Sequence, residues 1–237
     1  MRPYVQMTMS PPRALPPAPV IPAGSLRLSG SAGCPRWRGR LHLGAAVAAV
    51  PAGVALVARR PSALVALYAL GLTAQFAVSS AYHLVPFGAR ARRRMRQADH
   101  ATIYFFTAAS VTVFCRYAVG GGLGEAVGVA AWAGASIGVA MKVAAFDRSA
   151  GTGAVLYLLL GWLAAVTLPR AAAHLAWSQM ALLGAVAAFY SAGVVVLFTR
   201  RPDPAPATFG YHEVWHAAVV AASACYFALV WGMVRPV

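Results

Sequence analysis

The chain has 237 residues, 60% of them hydrophobic, with 20 basic residues, 5 acidic ones and a net charge of +15; its mean hydropathy is +0.65. So apolar a composition excludes an ordinary soluble domain, and because the arginines fall between apolar runs it also excludes nucleic acid as the partner of that charge. Anionic lipid headgroups are the partner it fits.

The first 33 residues, "MRPYVQMTMSPPRALPPAPVIPAGSLRLSGSAG", are rich in Pro and Ser and contain no apolar run long enough for a signal peptide or a span. They are expected to be a disordered cytoplasmic arm, leaving residues 34–237 as one membrane domain. Seven apolar segments follow, each near the ~20 residues that cross a bilayer core as a helix. They run from Leu41 to Ala58, Ala63 to Val85, His100 to Val119, Ala126 to Phe146, Ala154 to Leu168, Ala171 to Phe198 and Tyr211 to Val234. Joints are expected at "GGGLG" (120–124), "SAGTG" (149–153), Pro169 and "RRPDPAPATFG" (200–210). The expected fold is an all-α integral membrane protein, a seven-transmembrane-helix bundle. Cys34, Cys115 and Cys225 form no C-x-x-C pair, so they read as packing residues.

Orientation follows from the excess of Arg and Lys on the cytoplasmic side. With the N-terminus inside, 15 of the 20 basic residues lie inside, among them Arg90, Arg92, Arg93, Arg94 and Arg96 in the segment Phe87 to Asp99, which reads as a loop. The expectation is therefore N-terminus cytoplasmic and C-terminus outside. That topology brings His83 at the end of the second span, Asp99 at the start of the third, and His212 and His216 at the start of the seventh to one end of the bundle.

His212 and His216 are four apart, on one helix face and ~6 Å apart along the axis, so they can grip one ion. "HEVWH" matches the H-E-x-x-H pattern of zinc proteases, but no His, Asp or Glu follows His216 to supply a third ligand. Upstream, His83 stands at the right depth. Asp99 does too, as either a ligand or a hydrogen-bond acceptor beside the metal. The favoured set is His83, His212 and His216 around Zn2+, with Asp99 next to them and Ser79 one turn before His83 on the same face. An i, i+4 pair also arises by chance in a chain with 6 histidines. His42, His100 and His174 read as ordinary hydrogen-bonding residues. Glu213, about 100° round the helix from His212, reads as facing headgroups. Asp147 and Asp203 read as solvated loop residues. Tyr82, Tyr104, Phe105, Phe106 and Trp215 read as packing or interface aromatics.

The strings "CPRWRGRLH" (34–42), "SSAYHLVPFG" and "RQADHATIYFF" (79–106), "LYLLLGWLA" (156–164) and "FGYHEVWHAAVV" (209–220) resemble the hemolysin III branch of the progestin and adipoQ receptor superfamily. The resemblance implies seven spans, a cytoplasmic N-terminus and a zinc site of three histidines near the cytoplasmic side, here His83, His212 and His216, with Ser79 and Asp99 as the associated serine and aspartate. Eukaryotic relatives carry Gln where Glu213 stands, so the protease match reads as accidental. The chain departs from the family at "AASVTVFCRYA" (108–118), where bacterial relatives have a Gly and a Thr-Pro pair.

Three functions fit this reading. One is a zinc-dependent, ceramidase-like lipid amide or ester hydrolase, with Asp99 positioning or deprotonating water and Ser79 hydrogen-bonding the oxyanion. The second is a pore or cytolytic protein, against which the scarcity of polar residues in the outer halves of the spans argues. The third is a sensor in which zinc staples helices.

Overall fold

The structure, a computed structural model, describes residues 35–146 and 150–235. The N-terminal arm, Cys34, Asp147 and Arg148 lie outside the described residues. Helix α1 is Arg40–Arg59, α2 Ala63–Leu84, α3 Ala89–Phe114, α4 Gly121–Ala144, α5 Ala150–Leu163, α6 Leu168–Ala172, α7 Trp177–Thr199 and α8 Tyr211–Met233. A π-helical turn, Cys115–Val119, prolongs α3, and a 3-10 turn, Ala164–Thr167, joins α5 to α6. Among the described residues, seven of the resulting rods are long and apolar enough to cross a membrane, the fifth being Val155–Ala172. The all-α, seven-span expectation holds.

Three boundaries differ from the sequence reading. The third span begins at Ala89, so the arginine-rich segment is the first turns of α3 and not a loop. Its residues explain this: Ala, Arg, Met and Gln are strong helix formers, and the hydropathy that marks a span is blind to them. In "GGGLG" only Gly120 breaks the chain, and α4 starts at Gly121. Pro169 does not separate the fifth and sixth spans. It sits in the first turn of α6, where its missing N–H costs nothing, and the chain turns later, before Trp177. The π-helical turn falls at the end of the segment where the sequence departs from the family pattern.

Burial identifies the centre of the bundle. Half or more of the apolar windows of α2 and α3 is buried, against 11% for α7. Lipid is as apolar as leucine, so close packing and internal hydrogen bonds hold such a bundle together. Gly193 of α7 shows the first: a Cβ there would come within 2.8 Å of the Trp215 ring on α8. Tyr226 shows the second, donating to the Ser110 carbonyl at 2.7 Å, and Tyr190 and Ser223 share a hydrogen bond at 3.2 Å. Such bonds average ~0.6 kcal/mol in membrane bundles. The interior is more polar than the sequence reading expects. Tyr68, Gln75 and Ser110 are buried there, and Tyr68 Oη, Gln75 Oε1 and Ser110 Oγ have no hydrogen-bond partner among the described residues.

The N-terminal ends of α1, α3 and α8 and the C-terminal end of α2 lie together. The turn before α1 docks on the segment before α8, with the Arg36 and Trp37 amides donating to the Ala207 and Thr208 carbonyls at 3.2 and 3.0 Å. These two short segments frame the histidines.

Candidate functional site

The start of α8 is fixed by two carboxylates. Glu213, in the first turn, accepts from the Gly210 amide at 2.9 Å, and Asp203 accepts from the Tyr211 amide at 2.8 Å. Both satisfy N–H groups that the first turn of a helix leaves unpaired. Asp203 is exposed, as expected, but it also caps the helix.

Glu213 is 1% exposed, which corrects the expectation that it faces headgroups. Its second oxygen, Oε1, accepts from Arg38 Nε at 2.5 Å. Burying a carboxylate is costly unless it is paired and hydrogen-bonded, and Arg38 with the Gly210 amide meets both conditions. With both oxygens committed, Glu213 is not a free base beside the histidines.

The helix start so fixed sends His212 and His216 to one side. Across from them, α2 brings in His83. The His83 and His212 Nε2 atoms are 3.4 Å apart. One ligand nitrogen from each of His83, His212 and His216 lies within 4.8 Å of the other two. The rings stand edge to face, His83 at 5.1 Å from both partners with interplanar angles of 75° and 60°. His216 is buried, and His83 and His212 are half-buried.

Gly39 makes room for His83. Its φ of +76° is the left-handed conformation that favours glycine, and a Cβ on it would come within 2.7 Å of His83 Cβ.

Ser79 lies one turn before His83 on α2 and is buried. Its side chain hydrogen-bonds Asp99 on α3. The structure therefore brings the predicted residues into two groups, three histidines and a Ser79–Asp99 pair, linked by one turn of α2. Beyond Asp99, His100 Nδ1 and Tyr157 Oη share a hydrogen bond at 3.1 Å, so His100 is the ordinary polar residue expected.

His42 is not. It is 4% exposed, its ring stacks on His216 with centroids 3.9 Å apart and planes within 9°, and its edge meets Phe76. Sequence reasoning passed over it because it is isolated in α1. The available signal was its place one turn beyond Arg38, at the same end of the bundle as the other three.

Three neutral imidazoles with ligand atoms this close can hold a metal ion. A tetrahedral ion with metal–nitrogen bonds of ~2.0–2.1 Å sets its ligands about 3.4 Å apart, a separation that His83 and His212 already have.

A family model described as haemolysin-III related matches residues 34–227, which include every residue of both groups. The chain is 28% identical over 132 residues to the Hemolysin-3 homolog of Bacillus subtilis (strain 168), covering 56% of this chain and 59% of that protein. It is likewise 28% identical over 139 residues to Hemolysin-3 of Bacillus cereus, covering 58% and 60%. The chain thus spans about three fifths of the length of these relatives. Seven apolar helices and a family match over most of the sequence lead to one conclusion: the chain belongs to the haemolysin-III related family and is a multi-pass membrane protein.

Proposed function

We propose that the protein is a zinc-dependent hydrolase of lipid amides or esters, acting in membrane lipid homeostasis, with its site near the cytoplasmic face. The observation that carries this reading is the cluster of His83, His212 and His216 nitrogens within 4.8 Å of one another. Three nitrogen ligands leave a fourth position open, the pattern of a catalytic zinc and not of a closed structural one. Bound there, zinc supplies Lewis-acid polarisation of a carbonyl and lowers the pKa of water.

The chain's own groups do the rest. Asp99 is the proton acceptor, held in orientation by its hydrogen bond with Ser79. The Ser79 hydroxyl has one proton, which it gives to the Asp99 carboxylate; once Asp99 has taken up a proton and can itself donate to Ser79, that hydroxyl is free to donate to an oxygen that gains charge. Glu213 takes no part, because Arg38 and the Gly210 amide occupy its carboxylate.

The excess of arginine at this end supports a cytoplasmic N-terminus and a site reached from the inner leaflet. The run Arg90 to Arg96 at the start of α3 then lies at headgroup depth, where it attracts anionic lipid. A second reading, cytolysis, is favoured by the name Hemolysin-3 carried by the relatives.

The test is the metal content of protein purified in detergent, with hydrolysis assays on a panel of ceramides and phospholipids. Turnover lost to a chelator and restored by zinc supports the hydrolase. Bound zinc with no turnover leaves the metal as a structural staple, and absence of bound metal overturns the reading. Dye release from vesicles without lipid hydrolysis favours the cytolytic alternative.

A further inference from the structure

Two arginines flank the three-histidine cluster. Arg38 lies in the turn before α1. The residue after it, Gly39, packs on α2, where a Cβ on it would come within 2.7 Å of His83 Cβ. The tip of Arg38 reaches α8, where Nε donates to Glu213 Oε1 at 2.5 Å, and Glu213 directly follows His212. The Arg38 side chain therefore crosses from the helix that carries His83 to the one that carries His212 and His216, close enough for its charge to act on all three rings. Arg92, near the start of α3, is the second. Its guanidinium lies over the Tyr82 ring at 5.0 Å, Tyr82 stands beside His83 with centroids 4.7 Å apart, and the charge of Arg92 also acts on His83.

The ion pair with Glu213 uses one of the five N–H donors of Arg38. The guanidinium makes no other hydrogen bond among the described residues, and the side chain is 23% exposed. Glu213 holds one edge of this planar group and so fixes the direction of the donors on Nη1 and Nη2, a fork matched to the oxygens of phosphate or carboxylate. The other carboxylates described at this end are engaged elsewhere: Asp99 with Ser79, and Asp203 with the Tyr211 amide.

Depth decides between the two anions. His42 is level with His216, on which it stacks, so Arg38 lies about one helical turn further out. Arg92 precedes Asp99 by about two turns and is also further out. In a phospholipid the ester carbonyl separates the acyl chain from the phosphate. With that carbonyl at the histidine cluster, the chain lies toward the hydrocarbon and the phosphate lies outward, at the two arginines. A ceramide places an uncharged hydroxyl there.

We propose that Arg38 and Arg92 form a phosphate subsite, so that the substrate is a phosphate-bearing acyl lipid and not a ceramide. The proposal rests on the hydrolase reading given above and deepens it by naming the headgroup. In the reaction the oxygen of water bonds to the carbonyl carbon, the ester C–O bond breaks, and the proton that Asp99 takes from water passes to the leaving glycerol oxygen. The arginines hold the phosphate, which is unchanged.

The experiment uses full-length, zinc-loaded protein in neutral detergent and a matched pair of short diether lipids, dihexyl glycerol phosphate and dihexyl glycerol. Neither has a carbonyl, so binding is read by calorimetry without turnover. The unaltered protein should prefer the phosphate-bearing diether by at least about tenfold. Arg38→Lys retains a cation for Glu213 but not the fork, and Arg38→Gln combined with Glu213→Gln retains a neutral hydrogen bond between the turn and α8. Each should reduce the preference about tenfold, and Arg92→Gln should reduce it by about half as much on a logarithmic scale, with affinity for the uncharged diether constant. No preference in the unaltered protein, a preference kept by the folded Arg38 variants, or equal weakening toward both diethers overturns the proposal. Failure of both Arg38 variants to fold assigns Arg38 a structural role and also ends it. Inorganic phosphate that binds as tightly as the phosphate-bearing diether makes free phosphate the ligand and overturns the lipid assignment. Hydrolysis of a ceramide in preference to phosphatidic acid upholds the hydrolase and ends the phosphate subsite, whereas unaltered protein that takes up no zinc refutes the metal reading itself.

Discussion

Removing Glu213 is the sharpest test of how the site end is built. The carboxylate is 1% exposed and has two partners, Arg38 at 2.5 Å and the Gly210 amide at 2.9 Å. Glu213→Ala leaves both unpaired. Losing one partner of a fully buried pair costs about 3–5 kcal/mol, but the Arg38 side chain is 23% exposed and can turn toward water or headgroups. The lower end of that range, roughly 3 kcal/mol, is therefore expected for the alanine variant, with ~1 kcal/mol of it from the lost cap. Glu213→Gln keeps a single oxygen, which can serve the Gly210 amide or Arg38 but not both, and sets its NH2 donor against the other. Its cost is expected between the lost charge assistance and the loss of one buried partner, about 1–3 kcal/mol. Equilibrium unfolding in mixed micelles measures both, and a double-mutant cycle with Arg38→Met isolates the pair. A coupling below ~0.5 kcal/mol would refute the view that this ion pair ties the turn before α1 to α8. The same Gln variant bears on the H-E-x-x-H motif. Loss of hydrolysis with metal retained and the fold intact would make Glu213 the base after all.

Four further outcomes are expected. Each of His83→Ala, His212→Ala and His216→Ala should lower zinc affinity by roughly a hundredfold or more, because two imidazoles remain of three; full occupancy in His83→Ala, measured by elemental analysis, contradicts the ligand set. Asp99→Asn should retain zinc and lower hydrolysis by about 10²–10⁴-fold, whereas an unchanged rate removes it from the proton-transfer role. Gly39→Ala combines a left-handed backbone with a 2.7 Å clash on His83; it should cost at least ~1–2 kcal/mol in the same unfolding assay and weaken zinc binding, and normal values for both would show that the turn yields freely. Replacing Arg92, Arg93 and Arg94 by Gln should weaken association with anionic nanodiscs about tenfold or more, at ~1 kcal/mol per arginine near such a surface, while protease accessibility reports an unchanged orientation. Arg92 also packs over the Tyr82 ring at 5.0 Å, so its share should be the smallest. Equal binding to anionic and neutral discs leaves the arginines as a topology signal alone.

The seven spans were legible because hydropathy and length report what a bilayer demands, and helix is the structure that satisfies a lone chain there. The three histidines could be placed at one end by counting spans, since alternation fixes which ends coincide. What the sequence hid depends on pairing across helices. Glu213 and Arg38 are separated by 175 positions, so nothing local marks either as buried. His42 shows no periodic signal, and its significance arises only when α1 lies beside α8. The start of α3 is obscure for another reason: the arginines that end an apolar window are good helix formers, so charge marks the edge of the hydrocarbon and not the edge of the helix. Pro169 misled similarly, because a proline in the first turn of a helix after a 3-10 turn resembles a stop.

The chain order of the site elements bears on biogenesis. His83 comes from the second span, whereas His212 and His216 come from the last. Gly39 and Arg38, which pack on or tie to those elements, precede the first. No subset of early spans can assemble the histidine cluster during synthesis, and a chain in which α8 fails to insert keeps one histidine of the three. Occupancy of the cluster by metal would then report that insertion has run to completion, and metal-dependent protection from proteolysis should appear only after the final helix is in place.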